Sequence, residues 1–86
     1  METNNDIRIV VLPAGHVLIG RWSAVANNRH QLTDASVIRI WGTSKGLGQL
    51  ALEGKQSGTV LDKIGTVQYH DTTVIFDVKC TAQWIL

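Results

Sequence analysis

The sequence predicts a mainly β protein: a small antiparallel barrel or rolled sheet of five to seven strands with one short α-helix. Valine, isoleucine and threonine account for 25 of the 86 residues, and β-branched side chains suit pleated strands. Apolar residues occupy every even position from Val74 to Leu86, an alternation typical of a half-buried strand. A helical period occurs in one segment, Gly42–Gly54. Small antiparallel barrels combine strands of this kind with few helices.

Length and charge indicate one small domain with no polybasic surface. The chain has 86 residues and a formal net charge of +1. This charge excludes a strongly basic nucleic-acid-binding surface and an acidic tail. No apolar run approaches the ~18 residues of a membrane span, and no secretory leader pattern is present. We therefore expect a cytoplasmic protein without membrane contact. We expect residues 1–6 to be frayed and residues 7–86 to form a single β-rich domain.

The first two strands are predicted at Ile7–Leu12 and His16–Ala26, joined by a turn at Pro13–Gly15. Proline presets φ and glycine accepts a positive φ, so this tripeptide favours a turn. The second strand is apolar at both parities, which predicts that both of its faces are covered. Gly20 lies inside this strand and predicts a bulge or a bend.

The middle of the chain predicts further strands separated by turns. Asn27-Asn28 predicts a turn, because asparagine tolerates the left-handed region. A short strand is expected at His30–Thr33. A second strand, with a clearer sequence pattern, is expected at Val37–Trp41. Residues 59–70 predict one broken strand or two short ones, and Asp71-Thr72 predicts the next turn.

The helix is predicted at about residues 44–53. Leu47, Leu50 and Ala51 recur at spacings of three and four, which places them on one face. Ser44 is the expected N-cap, and Gly54 is the expected stop. So short a helix must pack on the sheet, because it would be marginal alone in water.

The alternation from Val74 to Leu86 predicts the last strand, either continuous or as two collinear pieces. Its apolar parity predicts that four side chains face the main core: Val74, Phe76, Val78 and Cys80.

The connection between the predicted strand and the helix is the candidate ligand site. Its residues are Thr43, Ser44, Lys45 and Gly46. Backbone N–H groups that lead into a helix, together with a lysine, suit an anion. The alternative is a flexible connector with an ordinary cap.

No residue pattern indicates catalysis, a metal site or a cofactor. The three histidines lie far apart in sequence, and none forms a pair at metal-ligand spacing. Cys80 is the single cysteine, so it allows neither an internal disulfide nor a cysteine metal cluster. It lies on the apolar parity of the last strand and is expected to pack as a small hydrophobe. We predict a protein that is not an enzyme.

Three tryptophans indicate a possible role in nucleic-acid binding, because aromatic side chains on a sheet can stack against bases. These are Trp22, Trp41 and Trp84. Arg8, Arg21 and Arg39 would form a modest basic patch if they shared a face, which parity alone leaves open. The alternative is that the tryptophans serve the core and a subunit interface.

The segment Gln83–Leu86 predicts an interface. Trp84, Ile85 and Leu86 would expose apolar surface on a monomer, and large apolar patches are rare there. Pairing this segment with a neighbouring subunit would cover both the side chains and a free strand edge. We expect a homo-oligomer, with a dimer favoured.

The order of features after Leu32 resembles a family of small, uncharacterised phage and prophage proteins. The resemblance covers about fifty residues, and its most specific part is the Arg39-Ile40-Trp41 strand followed by the helix from Leu47 to Gly54, Leu-x-Gln-Leu-Ala-x-Glu-Gly. It also includes Leu32-Thr33 and the run ending in Lys79-Cys80-Thr81. The resemblance implies a mobile-element origin and a compact β-rich domain, and it supplies no catalytic residues.

Two functions remain open at this point. The favoured one is a small oligomeric binding or assembly protein that holds an anionic ligand or occupies a host macromolecule. The alternative is a small β-barrel that binds single-stranded nucleic acid.

Overall fold

Within the residues that the structure describes, 6–86, five antiparallel strands form one sheet. The structure is a computed structural model. The elements are β1 (Ile7–Leu12), β2 (His16–Ala26), β3 (Arg29–Ile40), α1 (Leu47–Glu53), β4 (Val60–His70) and β5 (Phe76–Lys79). The strand order is β4-β3-β2-β1-β5. This confirms the predicted mainly β architecture with a single short helix.

The segment predicted to be frayed, residues 1–6, lies outside the described residues except for Asp6. The Asp6 carbonyl accepts a hydrogen bond from the Trp22 backbone N–H at 2.7 Å. The Asp6 carboxylate pairs with Arg8 at 3.0 Å. Asp6 therefore continues the contacts of β1.

The first two hairpins follow the predicted turn chemistry. Pro13–Gly15 forms a tight turn in which Ala14 and Gly15 have positive φ, 63° and 77°. Asn27 and Asn28 both have positive φ, 51° and 65°. Two consecutive positive values match the type I′ hairpin, whose twist suits the flanking strands.

The two outer strands show that the sheet is curled. A flat five-stranded sheet places its outer strands about 19 Å apart, four gaps of ~4.8 Å. The connection from β4 to β5 has five residues, three of which form the 3₁₀ turn Asp71–Thr73, and such a turn rises only ~2 Å per residue. A connection so short requires the sheet to curl into a barrel-like form.

A row of irregular residues lets the three long strands bend at the same level. Gly20 interrupts the register of β2 with β3. Asp34, at φ 53°, interrupts β3, and Gly65, at φ 86°, pairs with Ala35 where the register shifts again. Bulges kink strands and increase their twist. Aligned across three neighbours, these irregularities fold the sheet over itself.

Two cores fill the two faces of the sheet. One contains Ile9 and Ile19 and is covered by α1 and the segment after β5. The other contains Val10, Leu18 and Leu32 and lies inside the curl. The double-sided apolar pattern of β2 is therefore satisfied within the chain, without a second subunit.

The predicted strands His30–Thr33 and Val37–Trp41 are one strand, β3, which runs through Asp34 and ends at Ile40. The prediction left residues 34–36 outside both strands. Instead, the left-handed Asp34 forms a bulge within the ladder, and Ala35 and Ser36 on its far side are buried. Residues 60–70 likewise form one strand with an irregularity at Gly65.

The helix is shorter at its start than predicted. It begins at Leu47, its N-cap is Gly46 at φ 84°, and no side chain caps it. Ser44 is therefore not the N-cap, because the left-handed Gly46 turns the chain before the helix begins. Gly54 ends the helix as predicted, at φ 91°, and its N–H donates to the Leu50 carbonyl.

The predicted strand 74–86 is wrong over most of its length. β5 spans only Phe76–Lys79. Beyond it the chain leaves the sheet to cover α1, and the N–H groups of Thr81 and Ala82 donate to the Ala51 carbonyl at 2.9 and 3.1 Å. Phe76 is 50% exposed on the outer strand rather than in the core. Val78 and Cys80 do join the core, whereas Val74 packs inside the curl.

Candidate interaction surfaces

The predicted anion loop is folded around one side chain of the chain itself. The N–H groups of Ser44 and Lys45 donate to Oε1 of Gln49 at 3.0 and 2.9 Å. The N–H of Gly46 donates to Oγ1 of Thr43 at 3.1 Å. An anion at these residues would have to displace the Gln49 carbonyl oxygen. The anion site at residues 43–46 remains a prediction with that condition attached.

A signal for this arrangement exists in the sequence. Gln49 is the third residue after the N-cap Gly46, the position from which a glutamine reaches back to backbone N–H groups in a capping box. Its Nε2 donates to Oε1 of Gln56 at 3.3 Å, and Nε2 of Gln56 donates to the Gly54 carbonyl at 2.8 Å. The loops on the two sides of α1 are therefore held together through two glutamines.

Trp84, predicted at an interface, is only 7% exposed. Its indole N–H donates to the Leu50 carbonyl at 3.1 Å, so it anchors the final segment on α1 and has little surface left for a partner. Leu86 is half-buried against the same core. Ile85 is 97% exposed, so of these three it alone presents its full side chain.

The three arginines considered for a basic patch are each paired with an aspartate. Arg21 meets Asp34 at 3.2 Å and Arg39 meets Asp62 at 2.9 Å. Arg8 meets Asp6 at 3.0 Å and Asp77 at 3.5 Å. Arg8 pairs across the sheet with Gly20, whereas Arg21 pairs with Ile7, so Arg8 and Arg21 point to opposite faces. No shared patch forms, and the cationic charge is compensated locally.

The Arg8 guanidinium also lies over the Trp22 ring, 3.8 Å from its centroid. The ring centroids of Trp22 and His30 lie 5.0 Å apart in an edge-to-face arrangement, and those of His30 and Tyr69 lie 5.7 Å apart in the same arrangement. The hydrogen bond from Arg8 lowers the pKa of Asp6, and burial raises the pKa of Tyr69. Trp22 is thus covered rather than open for base stacking. Trp41, 39% exposed, is the more accessible ring.

The histidines and Cys80 form no reactive cluster in the part of the chain described. Within residues 6–86 no three His, Cys, Asp or Glu side chains come together as a metal site. Cys80 is 9% exposed, and burial raises the pKa of its thiol to about 11. The thiol is therefore protonated and weakly nucleophilic at neutral pH.

The two outer strands of the sheet, β4 and β5, form a candidate interaction surface. The sequence predicted the interface at Gln83–Leu86 instead. Within residues 6–86, β4 pairs only with β3 and β5 only with β1. Ile64 on β4 is 43% exposed. Ile75, the residue before β5, is 62% exposed, and Phe76, the first residue of β5, is 50% exposed. Unpaired N–H and C=O groups beside exposed apolar side chains favour the addition of another strand.

None of the helices in residues 6–86 has the length and apolar character that crossing a membrane requires.

Comparison with known proteins shows the fold. No protein-family model matches the chain, and no curated protein matches it. A solved structure of a heptameric archaeal Sm protein, described for its implications for the eukaryotic snRNP core, matches with a TM-score of 0.57. The match has 19% sequence identity and covers 88% of this chain and 87% of that chain. The chain therefore has an Sm-like, small β-barrel-like fold.

Proposed function

We propose that the protein is a small homo-oligomeric binding and assembly protein whose subunits join through their open sheet edges. The observation that carries the proposal is the pair of unpaired outer strands, β4 and β5, at the two sides of one curled sheet. Joining strands across subunits would satisfy their backbone groups and cover Ile64 and Phe76. The proposal does not depend on Trp84, which the chain buries itself.

The form of the assembly follows from which edges meet. A contact between β4 of one subunit and β5 of the next is heterologous, and such contacts close into a ring where the rotation between subunits closes and otherwise continue as an open filament. A contact between two copies of β4 would give a two-fold dimer instead. We favour the ring, because the structural neighbour is a heptamer and because the two edges of this chain are different strands.

Light scattering coupled to size exclusion tests the proposal. The subunit mass is 9.4 kDa, and we expect a discrete mass of three or more subunits that holds over micromolar concentrations. A dimer would retain the homo-oligomer and overturn the ring. A monomer mass that persists as the concentration rises would overturn both.

Binding of single-stranded nucleic acid is the second candidate function. The neighbour's connection with the snRNP core and the exposed ring of Trp41 support it. The ion-paired arginines argue against a strong phosphate-binding surface on one subunit, although a ring would repeat any weak site several times. Retention on single-stranded RNA and DNA across a salt series tests this candidate. Binding that falls steeply with salt supports it, and absence of retention at low salt contradicts it.

The identity of a host macromolecule and the mobile-element origin implied by the phage-protein resemblance stay predictions.

A further inference from the structure

Trp41 lies directly beside the start of the outer strand β4. Ile40, the last residue of β3, pairs with Val60, the first residue of β4. The Trp41 carbonyl accepts a hydrogen bond at 2.7 Å from Oγ1 of Thr59, the buried residue that precedes β4. Trp41 therefore lies at the same side of the sheet as one of its two open edges.

The backbone around Trp41 is held in place on two sides. Oγ1 of Thr59, which donates to Trp41, also accepts from the Gln56 N–H at 2.9 Å. Gly42 packs against the backbone of Gly58 so closely that a β-carbon on Gly42 would collide with the Gly58 carbonyl carbon. An anchored backbone limits where the indole ring can lie, and such preorganisation reduces the entropy cost of covering the ring.

The indole ring of Trp41 offers apolar surface to a partner. Trp41 is 39% exposed, whereas Trp84 is 7% exposed and Trp22 is covered by Arg8. Ile40, the residue before Trp41, is 49% exposed. Two successive large apolar residues are therefore open to solvent where β3 ends, and exposed apolar residues that lie together mark interaction sites.

The charge beside Trp41 is balanced within the subunit. Arg39 pairs with Asp62 of β4 at 2.9 Å. Sites for single-stranded nucleic acid combine stacking rings with a positively charged groove, and a compensated arginine adds no net charge to such a groove. A neutral apolar surface fits another apolar surface. The beginning of β5 supplies one, since Ile75 just before it and Phe76, its first residue, are 62% and 50% exposed.

We propose that Trp41 anchors the contact between subunits, and that its indole ring packs on Ile75 and Phe76 of the next copy of this chain. The role depends on the proposed assembly through the outer strands, and it assigns the largest share of the binding energy to one residue. A few residues dominate most protein interfaces, and tryptophan is prominent among them. A second copy is the occupant because this chain itself bears both apolar surfaces, one at each open edge.

Acrylamide quenching of tryptophan fluorescence tests whether the ring is covered. The Phe76→Lys variant, whose β5 edge carries a lysine that opposes strand addition, serves as the reference with an uncovered Trp41. The same measurements with Trp41→Phe in both backgrounds isolate the Trp41 signal. We expect acrylamide to quench Trp41 more strongly in Phe76→Lys than in the wild type, because the ring is enclosed in the assembly and open in the monomer.

Trp41→Ala and Leu52→Ala test the binding energy. Leu52 is the matched control, because it is 68% exposed but lies on α1 rather than beside an outer strand. Light scattering over a dilution series should show that Trp41→Ala raises the subunit dissociation constant at least about 30-fold, whereas Leu52→Ala leaves it unchanged. Trp41→Phe, which keeps an aromatic ring, should retain most of the assembly. The quenching comparison keeps Trp41 itself, so it decides the matter even if Trp41→Ala does not fold.

The outcomes separate this contact from the assembly itself. A wild-type protein that stays monomeric overturns both. A wild-type assembly that Trp41→Ala leaves intact, or equal quenching of Trp41 in the wild type and in Phe76→Lys, overturns the anchor alone. Quenching of Trp41 by oligouridylate without a change in mass assigns the ring to base stacking and likewise overturns the anchor.

Discussion

At the scale of single residues, Gly20 marks a place where β2 and β3 approach more closely than a side chain allows. A β-carbon at this position would lie 2.9 Å from Cβ of Leu32 and 3.2 Å from Cα of Ala35. Leu32 is fully buried and Ala35 almost so, so neither can yield easily. The bend of the sheet therefore depends on the absence of a side chain at residue 20.

Gly20→Ala should destabilise the protein by about 1–3 kcal/mol, because overpacking forces the backbone or the core to shift. Gly48→Ala is the control. Gly48 lies inside α1, and a β-carbon there would meet nothing within 4 Å beyond the backbone of its own helix. Alanine at this position should stabilise by about 0.5–1 kcal/mol through helix propensity. Urea unfolding of both variants checks the pair. Equal effects of the two substitutions would show that the contact at Gly20 is not limiting.

Because of Cys80, we expect the stability of the folded protein to fall at alkaline pH. Burial raises its pKa to about 11 in the folded protein, whereas an unfolded cysteine titrates near ~8.5. The folded state therefore favours the protonated thiol. Its contribution is fully present below the unfolded pKa and is lost as pH rises towards 11.

We expect the free energy of unfolding to fall by on the order of 1 kcal/mol by pH 10 because of this thiol. Tyr69, whose pKa is also raised by burial, acts in the same direction at higher pH, so the Cys80→Ala variant serves as the reference. Denaturant melts of both proteins from pH 7 to 10 isolate the thiol. Parallel pH profiles would contradict the assignment.

At the scale of elements, the loop before α1 owes its shape to Gln49. Two backbone N–H groups, those of Ser44 and Lys45, share its Oε1. Gln49→Ala keeps a good helix former in α1 but removes this acceptor. Amide hydrogen exchange at Ser44 and Lys45 should become about fivefold faster, since a lost hydrogen bond costs ~1 kcal/mol.

Gln56→Ala is the control for this loop. It removes the far end of the glutamine pair, which accepts from Nε2 of Gln49, and leaves both contacts to the loop N–H groups. Exchange at Ser44 and Lys45 should then stay near the wild-type rate. Faster exchange in both variants would mean that the pair, rather than Gln49 alone, shapes the loop.

The helices and strands were predicted correctly where the local sequence pattern allowed only one structure. β1 and β2 were predicted with their observed bounds, because proline, glycine and paired asparagines mark the turns around them. The last segment was not, because alternation describes only which side chains are buried. Cys80 and Trp84 are both buried, but they reach the core from a segment packed on α1 rather than from a strand.

The candidate sites were harder to predict than the strands. Loop 43–46 was found from its glycines and lysine, but the competing acceptor on Gln49, in the first turn of α1, was missed. The open edges depend on strand order, and no local pattern in β4 or β5 reveals which strands lie outermost. Phe76 shows the consequence, since its parity predicted a core position and its place on an outer strand leaves it half exposed.

At the scale of the whole molecule, the two edges can be blocked separately. A lysine on an outer strand opposes the addition of another strand. Ile64→Lys places one on β4, and Phe76→Lys places one on β5. Val25→Lys is the control, because Val25 is 46% exposed, close to the 43% of Ile64, but lies on β2, which is neither of the two outer strands.

Light scattering should show that Ile64→Lys and Phe76→Lys each reduce the mass towards the monomer at micromolar concentration, whereas Val25→Lys keeps the wild-type mass. A loss of assembly in the Val25 variant as well would attribute the effect to added charge rather than to the edges. Retention of the full mass in both edge variants would place the interface elsewhere on the subunit.

Mixing the two edge variants distinguishes a ring from a dimer. In a ring, β4 of one subunit meets β5 of the next, so Ile64→Lys retains an intact β5 and Phe76→Lys retains an intact β4. The mixture should therefore form one undamaged contact and stop at about twice 9.4 kDa, because the remaining two edges of the pair both carry a lysine. If instead two copies of β4 meet, each Ile64→Lys subunit remains a monomer, Phe76→Lys keeps the dimer, and mixing changes neither mass.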